Sequence, residues 1–346
     1  MGKTDKISRL IRDPHTQGRL LMNMNPHRTE MRCFRIALQL SILVLALLLA
    51  GSPIAWGAGD NDWNRLVEPH RHVLDMNGYK LHYIDMGNGE PVIMVHGYAD
   101  SSYCWHENAQ ALVEKGFRVI LVDLPGLGRS GIPPGKFVFS VENLAASVLK
   151  MAKELALPRF SLVGSSMGGG IVLYLASNSP ERIRRAVVFA PACFKPRSPF
   201  LVRLLGLPGV DYLATGRAGR WFMWLGLRDV YYNDKKVNSK LVDEYARALK
   251  KPGYAKVLAR LRSEFFSDQF DRMAKRYKQL KLPLLIVWGQ DDKWLPVRFG
   301  EHLHRSVKGS RLVIIENCGH LPHQELPDLV NPMLTDFLHS AAQRSR

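Results

Sequence analysis

Short apolar runs alternate with helix-spaced stretches through most of this chain. Pro91-Val92-Ile93-Met94-Val95, Arg118 to Val122, Phe160 to Val163, Ala186 to Phe189, Leu284 to Trp288 and Arg311 to Ile315 are rich in branched aliphatic residues. Each is too short for a helix and predicts a buried strand. Ahead of them, His72 to Ile84 reads as a hairpin, because Asn77-Gly78 suits a type I′ turn between two extended runs. A helix is expected over Trp105 to Lys115. Another begins at Ser140, an N-cap with Asn143 standing where a capping box would carry Glu, and runs to about Leu155. Strands alternating with helices imply an α/β fold, a mostly parallel central sheet covered by helices on both faces. From Cys193 to about Tyr277 the pattern changes to Arg, Leu, aromatic residues and glycine, with helical patches and no convincing strand. That insert, at about 193–277, reads as a helical cap over the carboxyl ends of the strands.

The pattern also changes before residue 60. Residues 1–35 are polar and basic without apolar periodicity, which predicts a disordered tail. Residues 36–59 carry no charged side chain, and Ile42 to Ala50 is almost pure Leu, Val and Ala. Such a run is long enough to span a bilayer as a helix, although Pro53 and the glycines weaken its outer end. Two readings stand side by side. In one, the segment is a transmembrane anchor that leaves the basic tail in the cytoplasm. In the other, translation starts at Met31, Ile36 to Ala50 is the apolar region of a signal peptide, and Ala55-Trp56-Gly57 is a small-x-small cleavage site. Either way the bulk of the protein, residues 60–346, leaves the cytoplasm. It is then held at a membrane through the N-terminal segment, or is periplasmic or secreted after cleavage.

Composition adds one point. Apolar residues make up 46% and charged residues 23%, an ordinary globular mix, but the formal net charge is +17. The basic residues are scattered and no nucleic-acid motif is present, so a nucleic-acid partner is not implied. A basic face resting on anionic lipid fits the excess better. Cys33, Cys104, Cys193 and Cys318 form no Cys-x-x-Cys pair and have no metal-site spacing, and the last three are expected as buried free thiols.

The candidate chemistry centres on Gly164-Ser165-Ser166-Met167-Gly168, which follows the run from Phe160 and precedes helix-spaced apolar residues. That order reads as strand, sharp turn and helix, with Ser166 at the apex. A serine held in so tight a turn needs small residues two before and two after it, and Gly164 and Gly168 are small. The turn also sets Ser166 at a helix N-terminus, where unpaired N–H groups favour the negative charge that develops in acyl transfer. No Gly-rich phosphate loop occurs at the first strand-to-helix turn, so no nucleotide cofactor is implied. Grouping His96, Asp123 and His320 as a metal site has no support in their spacing.

Five motifs occur in order: His96-Gly97 after a strand, Asp123-Leu124-Pro125-Gly126-x-Gly128-x-Ser130, Gly164-x-Ser166-x-Gly168, Gly289-Gln290-Asp291-Asp292-x-x-x-Pro296, and Gly319-His320. With them the chain resembles the α/β-hydrolase superfamily from about Val73 to about Leu338. Within it, the chain is similar to the capped esterases, lipases and carbon–carbon-bond hydrolases. The resemblance implies Ser166 as nucleophile, Asp292 as acid and His320 as base, with an oxyanion hole from the backbone N–H groups of Met167 and Tyr98. Asp291 and His323 are the nearest rivals; the Gly-x-x-Asp spacing from Gly289 favours Asp292, and the Gly-His pairing favours His320. His96 and Asp123 are expected to support the loops around the nucleophile, as those positions do in the family.

A serine elbow sets the chain apart from relatives with Asp there, whose chemistry passes through an ester on that carboxylate. With serine the reaction is acyl transfer. The expectation is a cofactor-free serine hydrolase acting on small-molecule or lipid esters. The alternatives are carbon–carbon-bond hydrolysis of a vinylogous diketone, acyl transfer to an acceptor other than water, and a catalytically silent binding module on the same scaffold.

Overall fold

A computed structural model describes residues 62–195, 219–265 and 269–340. The expected tail at 1–35, the apolar segment at 36–59, Cys33 and the cap residues 196–218 lie outside the described residues. Among the described residues no helix is long and apolar enough to cross a membrane.

Eight strands form one sheet: β1 (Arg71–Asp75), β2 (Lys80–Met86), β3 (Glu90–Val95), β4 (Phe117–Val122), β5 (Phe160–Ser165), β6 (Ile183–Phe189), β7 (Leu284–Gly289) and β8 (Arg311–Ile315). Their order is β1-β2-β4-β3-β5-β6-β7-β8. β1 with β2 and β2 with β4 pair antiparallel, and every other pair is parallel. The mostly parallel sheet expected from the alternating pattern is therefore present. The two antiparallel pairings sit at its first edge. The hairpin between β1 and β2 turns at Asn77 and Gly78, with φ of 62° and 115°, and closes with Met76 N–H donating to the Tyr79 carbonyl at 2.9 Å.

The central strands β5 and β7 are buried at every position, as strands covered on both faces must be, whereas the edge strand β1 is mostly exposed. Along β3 the side chains alternate between two cores: Ile93 and Val95 face one, Val92 and Met94 the other. The first core is closed by α3 (Val141–Glu154), α4 (Met167–Asn178) and α9 (Arg298–Ser306). The second is closed by α1 (Asp62–Val67), α2 (Ala109–Glu114) and α10 (Pro327–His339). Ser140 caps α3, its side chain accepting from Asn143 N–H at 3.3 Å.

The helix expected over Trp105 to Lys115 is split. A 3₁₀ turn covers Ser102–Trp105 and α2 begins only at Ala109. The Ser101 side chain starts the 3₁₀ turn by accepting from Tyr103 N–H, and residues 106–108 form a turn that separates it from α2. The Asn108 amide is used for tertiary bonds, donating to the His323 carbonyl and to Asn331 Oδ1.

Between β6 and β7 the described part of the insert is helical, as expected: α5 (Gly219–Val230), α6 (Ser239–Arg247), α7 (Tyr254–Glu264) and α8 (Gln269–Tyr277). From β3 the chain moves to β4 on one side, then crosses to β5 on the other. The carboxyl ends of β3 and β5 thus lie side by side where the strand order reverses, the point at which open α/β sheets form a ligand crevice.

Candidate active site

β5 runs into Ser166, and α4 begins at the next residue. From Phe160 to Leu173 only Ser166 is not fully buried. Its backbone is at φ 52°, ψ −116°, a sparsely populated region for a residue with a Cβ. The turn is held by Ser166 N–H donating to the Phe189 carbonyl at 2.9 Å, and by the Ser166 carbonyl accepting from Ala192 and Gly170. A Cβ on Gly168 would sit 2.2 Å from the Val95 carbonyl oxygen and 2.4 Å from that of His96. One on Gly164 would sit 2.6 Å from the Gly168 carbonyl oxygen. Glycine at 168 brings the elbow against the end of β3, and glycine at 164 lets the strand and helix of the elbow close on each other.

That end of β3 carries His96-Gly97-Tyr98. Gly97 is so close that a Cβ there would lie 3.3 Å from Ser166 Cβ. His96 is buried, which holds its pKa down, and its ring bridges two loops. Nδ1 bonds the Gly97 carbonyl at 2.8 Å and Nε2 accepts from Leu124 N–H at 3.0 Å. Asp123 accepts from Ser102 N–H, Arg129 N–H and His82 Nδ1. Burial pushes its carboxyl up, but the bond and charge of His82, the charge of His96 and the Arg129 N–H together draw it well down. Both residues support loops, as the resemblance implied, and neither lines the cavity at Ser166.

The loop after β7 carries the candidate acid. Asp292 is buried and Asp291 is exposed. Asp292 Oδ1 accepts from the backbone N–H groups of Trp294 and Leu295 at 2.8 and 2.9 Å, and Oδ2 lies 2.7 Å from His320 Nδ1. The rival His323 is fully buried against Trp105 and Phe189, with its pKa pushed down to about 3 by burial. His320 thus has its carboxylate and His323 is a packing residue. His320 and Ser166 line one cavity together with Gly97 and Tyr98. No hydrogen bond joins Ser166 Oγ to the ring in this structure, and such bonds commonly tighten only with substrate bound.

Most of the other residues around this cavity are apolar and come from the cap: Phe222, Met223, Leu227, Val230, Leu249 and Leu258. Of the aromatic residues at the start of α5, Phe222 is buried at the cavity, Trp221 is exposed and Trp224 is half-buried. Tyr98, whose backbone was expected to serve as a donor, also reaches the cap, its hydroxyl donating to the Leu258 carbonyl at 3.1 Å. Met167 opens α4, so its N–H precedes the helical ladder.

Several residues at the site escaped the sequence reading. Trp294 lies beside the His320 ring at 5.8 Å, and its indole N–H donates to Asp229 at the end of α5. Glu325 accepts from the N–H groups of Gly319 and Tyr232. Asp100 lines the cavity with its carboxyl buried. The signal for Asp100 was its position two residues beyond Tyr98; Trp294 and Glu325 had none, since each also bonds a cap residue, Asp229 or Tyr232, far away in the chain. Cys104, Cys193 and Cys318 are free and buried as expected. Among the described residues no group of His, Cys, Asp or Glu is placed to hold a metal ion.

The alpha/beta hydrolase fold family matches residues 90–217. A 2-hydroxy-6-oxononadienedioate/2-hydroxy-6-oxononatrienedioate hydrolase of Dechloromonas aromatica (strain RCB) is 30% identical over 273 residues, 75% of this chain and 90% of that protein. The uncharacterized hydrolase YugF of Bacillus subtilis (strain 168) is 26% identical over 275 residues, 79% of this chain and 98% of that protein. Among solved structures, the meta-cleavage product hydrolase CumD from Pseudomonas fluorescens IP01 superposes with a TM-score of 0.67 at 23% identity, covering 77% of this chain and 97% of CumD. The chain belongs to the alpha/beta hydrolase family and is a hydrolase.

Proposed function

We propose that this hydrolase cleaves carboxylic esters of apolar acyl groups through an acyl-enzyme on Ser166. The observation that carries the reading is the 2.7 Å contact of His320 Nδ1 with buried Asp292, in a ring that lines the same cavity as Ser166. Asp292 fixes the tautomer that leaves Nε2 free to accept a proton. Ser166 Oγ attacks the ester carbonyl carbon while its proton passes to His320 Nε2. The N–H groups of Met167 and Tyr98 receive the oxyanion, each donor being commonly worth a factor of about 10² to 10³. The tetrahedral adduct collapses as His320 protonates the departing alkoxide. Water, deprotonated by His320, then releases the acid and restores the serine.

The test is p-nitrophenyl ester turnover by purified protein beside Ser166→Ala, with fluorophosphonate labelling of Ser166. Equal rates for the two proteins end the reading, and an unlabelled Ser166 in folded protein returns it to a silent binding module.

A second reading, carbon–carbon-bond hydrolysis, draws on the activity named for the Dechloromonas relative. That substrate is by its name a dioate and needs cationic partners for two carboxylates. Here Arg262 is the cavity's guanidinium and Asp100 lines the same cavity, which favours a neutral substrate. Acyl transfer to an alcohol would use the same acyl-enzyme, and a product assay offering both water and an alcohol separates the two.

For location, we propose a catalytic domain outside the cytoplasm, held at a membrane by residues 36–59 or freed by cleavage after Gly57, with a basic surface attracted to anionic lipid. Mass spectrometry of the mature N-terminus distinguishes anchor from signal peptide. A cytoplasmic domain in a fractionation experiment overturns both.

A further inference from the structure

Asp100 stands out against the carbon lining of the cavity. It follows the expected oxyanion loop, where Ala99 takes φ 57° to turn the chain. Its two carboxyl oxygens have different surroundings. Oδ1 accepts from Ser101 N–H at 2.7 Å, which staples the loop. Oδ2 faces the Tyr245 hydroxyl at 3.5 Å, well beyond the usual 2.7–2.8 Å for an O–H donor. That hydroxyl in turn accepts from Gln324 Nε2 at 2.7 Å. The Cys104 thiol is the carboxyl's other neighbour, a weak donor. Oδ2 therefore keeps capacity for a stronger partner.

Asp100 and Ser166 flank one point at the end of β3. Asp100 Oδ2 lies 3.9 Å, and Ser166 Cβ 3.3 Å, from the same point, the place a Cβ on Gly97 would occupy. A carboxyl oxygen there is within reach of the alcohol part of an ester whose carbonyl sits at Ser166. Burial pushes the carboxyl up to about 7, against the pull of the Ser101 N–H and the Tyr245 hydroxyl. Near neutrality it is thus present in both forms, and either form bonds a hydroxyl, as acceptor when ionised or as donor when protonated. Arg262 lines the same cavity, so when Asp100 is ionised the two charges offset one another and the lining carries no net charge that would select a charged alcohol part over a neutral, hydroxylated one.

We propose that Asp100 is a specificity-determining residue that selects esters whose alcohol part carries a free hydroxyl beside the scissile bond, as a glycerol monoester does. The inference rests on the ester-hydrolase reading above and deepens it. A site built to bond a hydroxyl discriminates strongly against the analogue lacking one, because the buried polar group is then left without its partner.

The test compares kcat/KM for 1-monooctanoylglycerol and propyl octanoate, which share acyl chain and alcohol carbon count. The wild type is expected to prefer the glycerol ester at least tenfold. In Asp100→Ala that ratio collapses toward one, and in Asp100→Asn, which retains hydrogen-bonding capacity and the loop staple, part of it returns. A merely structural role lowers both rates and leaves the ratio in place, which overturns the proposal. So does a wild-type ratio within about threefold of one, a result that needs no variant to fold. If neither ester is cleaved in a Ser166-dependent way, the ester reading itself fails. Ser166-dependent cleavage with no hydroxyl preference removes this inference alone.

Discussion

The backbone N–H of His320 donates to the carbonyl of Val230, the last residue of α5, across 2.7 Å. The loop that carries the candidate base is thereby fastened to the cap. Two further bonds join the same regions: Trp294 Nε1 to Asp229, and Tyr232 N–H to Glu325, each at 2.8 Å. This end of the cap is part of the framework that positions the imidazole.

Glu325 tests that relationship. Its carboxylate satisfies two backbone N–H groups, on Gly319 beside His320 and on Tyr232 in the cap. In Glu325→Gln one oxygen remains and an NH₂ is turned toward the other donor. The expected cost is about 1–3 kcal/mol of stability, read by urea denaturation, with slower fluorophosphonate labelling of Ser166. Wild-type stability and labelling together would show that the tether does nothing.

Gly168 tests the elbow. Alanine there places a Cβ inside contact distance of the Val95 and His96 carbonyl oxygens, which belong to backbone and have no rotamer to change. Gly168→Ala is expected to lose on the order of 3 kcal/mol or more, or to push the β3 loop away from Ser166. Thermal melting reads the first and probe labelling the second. A variant that melts and labels like the wild type contradicts the packing.

Asp292→Asn isolates the orientation of the imidazole. The amide keeps the size of the side chain, but its NH₂ can face His320 Nδ1 and stabilise the wrong tautomer. In triads of this kind the loss in kcat is about 10⁴-fold with geometry retained. Ester turnover by folded Asp292→Asn within tenfold of the wild type would remove Asp292 from the mechanism.

The parts that were legible in the sequence are those where local pattern and tertiary role coincide. β5, the elbow and α4 could be read because an apolar run, paired glycines and helix spacing all lie within one contiguous stretch. Local spacing also pointed to Asp292 over Asp291 and to His320 over His323; Asp292 is buried and Asp291 exposed, whereas both histidines are buried and only His320 has its ring on the Asp292 carboxylate. The helix break before α2 was not legible, because the Asn108 side chain there bonds to Asn331 and to the His323 carbonyl, more than two hundred residues away in the chain. His82 escaped for the same reason: only the pairing of β2 with β4 brings it to Asp123. The roles of Trp294, Glu325 and Asp100 depend on cap residues, and the cap has no motif that announces its contacts.

His323 yields a prediction about pH. Burial first, and then the charges of His320 and His106, hold its pKa down to about 3, against 6.5 for an ordinary histidine. Between those values the unfolded chain binds a proton that the folded protein does not, so stability falls as pH falls through that window. Asp100 works the other way. Its pKa is raised to about 7, so the folded protein holds a proton that the unfolded chain releases, and its contribution grows as pH falls from 7 toward 4. Comparing variants cancels the Asp100 contribution and every other shared one. His323→Phe keeps a ring against Trp105 and Phe189 and removes a buried Nδ1 that has no hydrogen-bond partner. Its loss of stability between pH 7 and pH 4.5 is expected to be smaller than that of the wild type by on the order of 2 kcal/mol. Urea denaturation at the two pH values measures the difference, and equal losses would mean that His323 takes up its proton without unfolding.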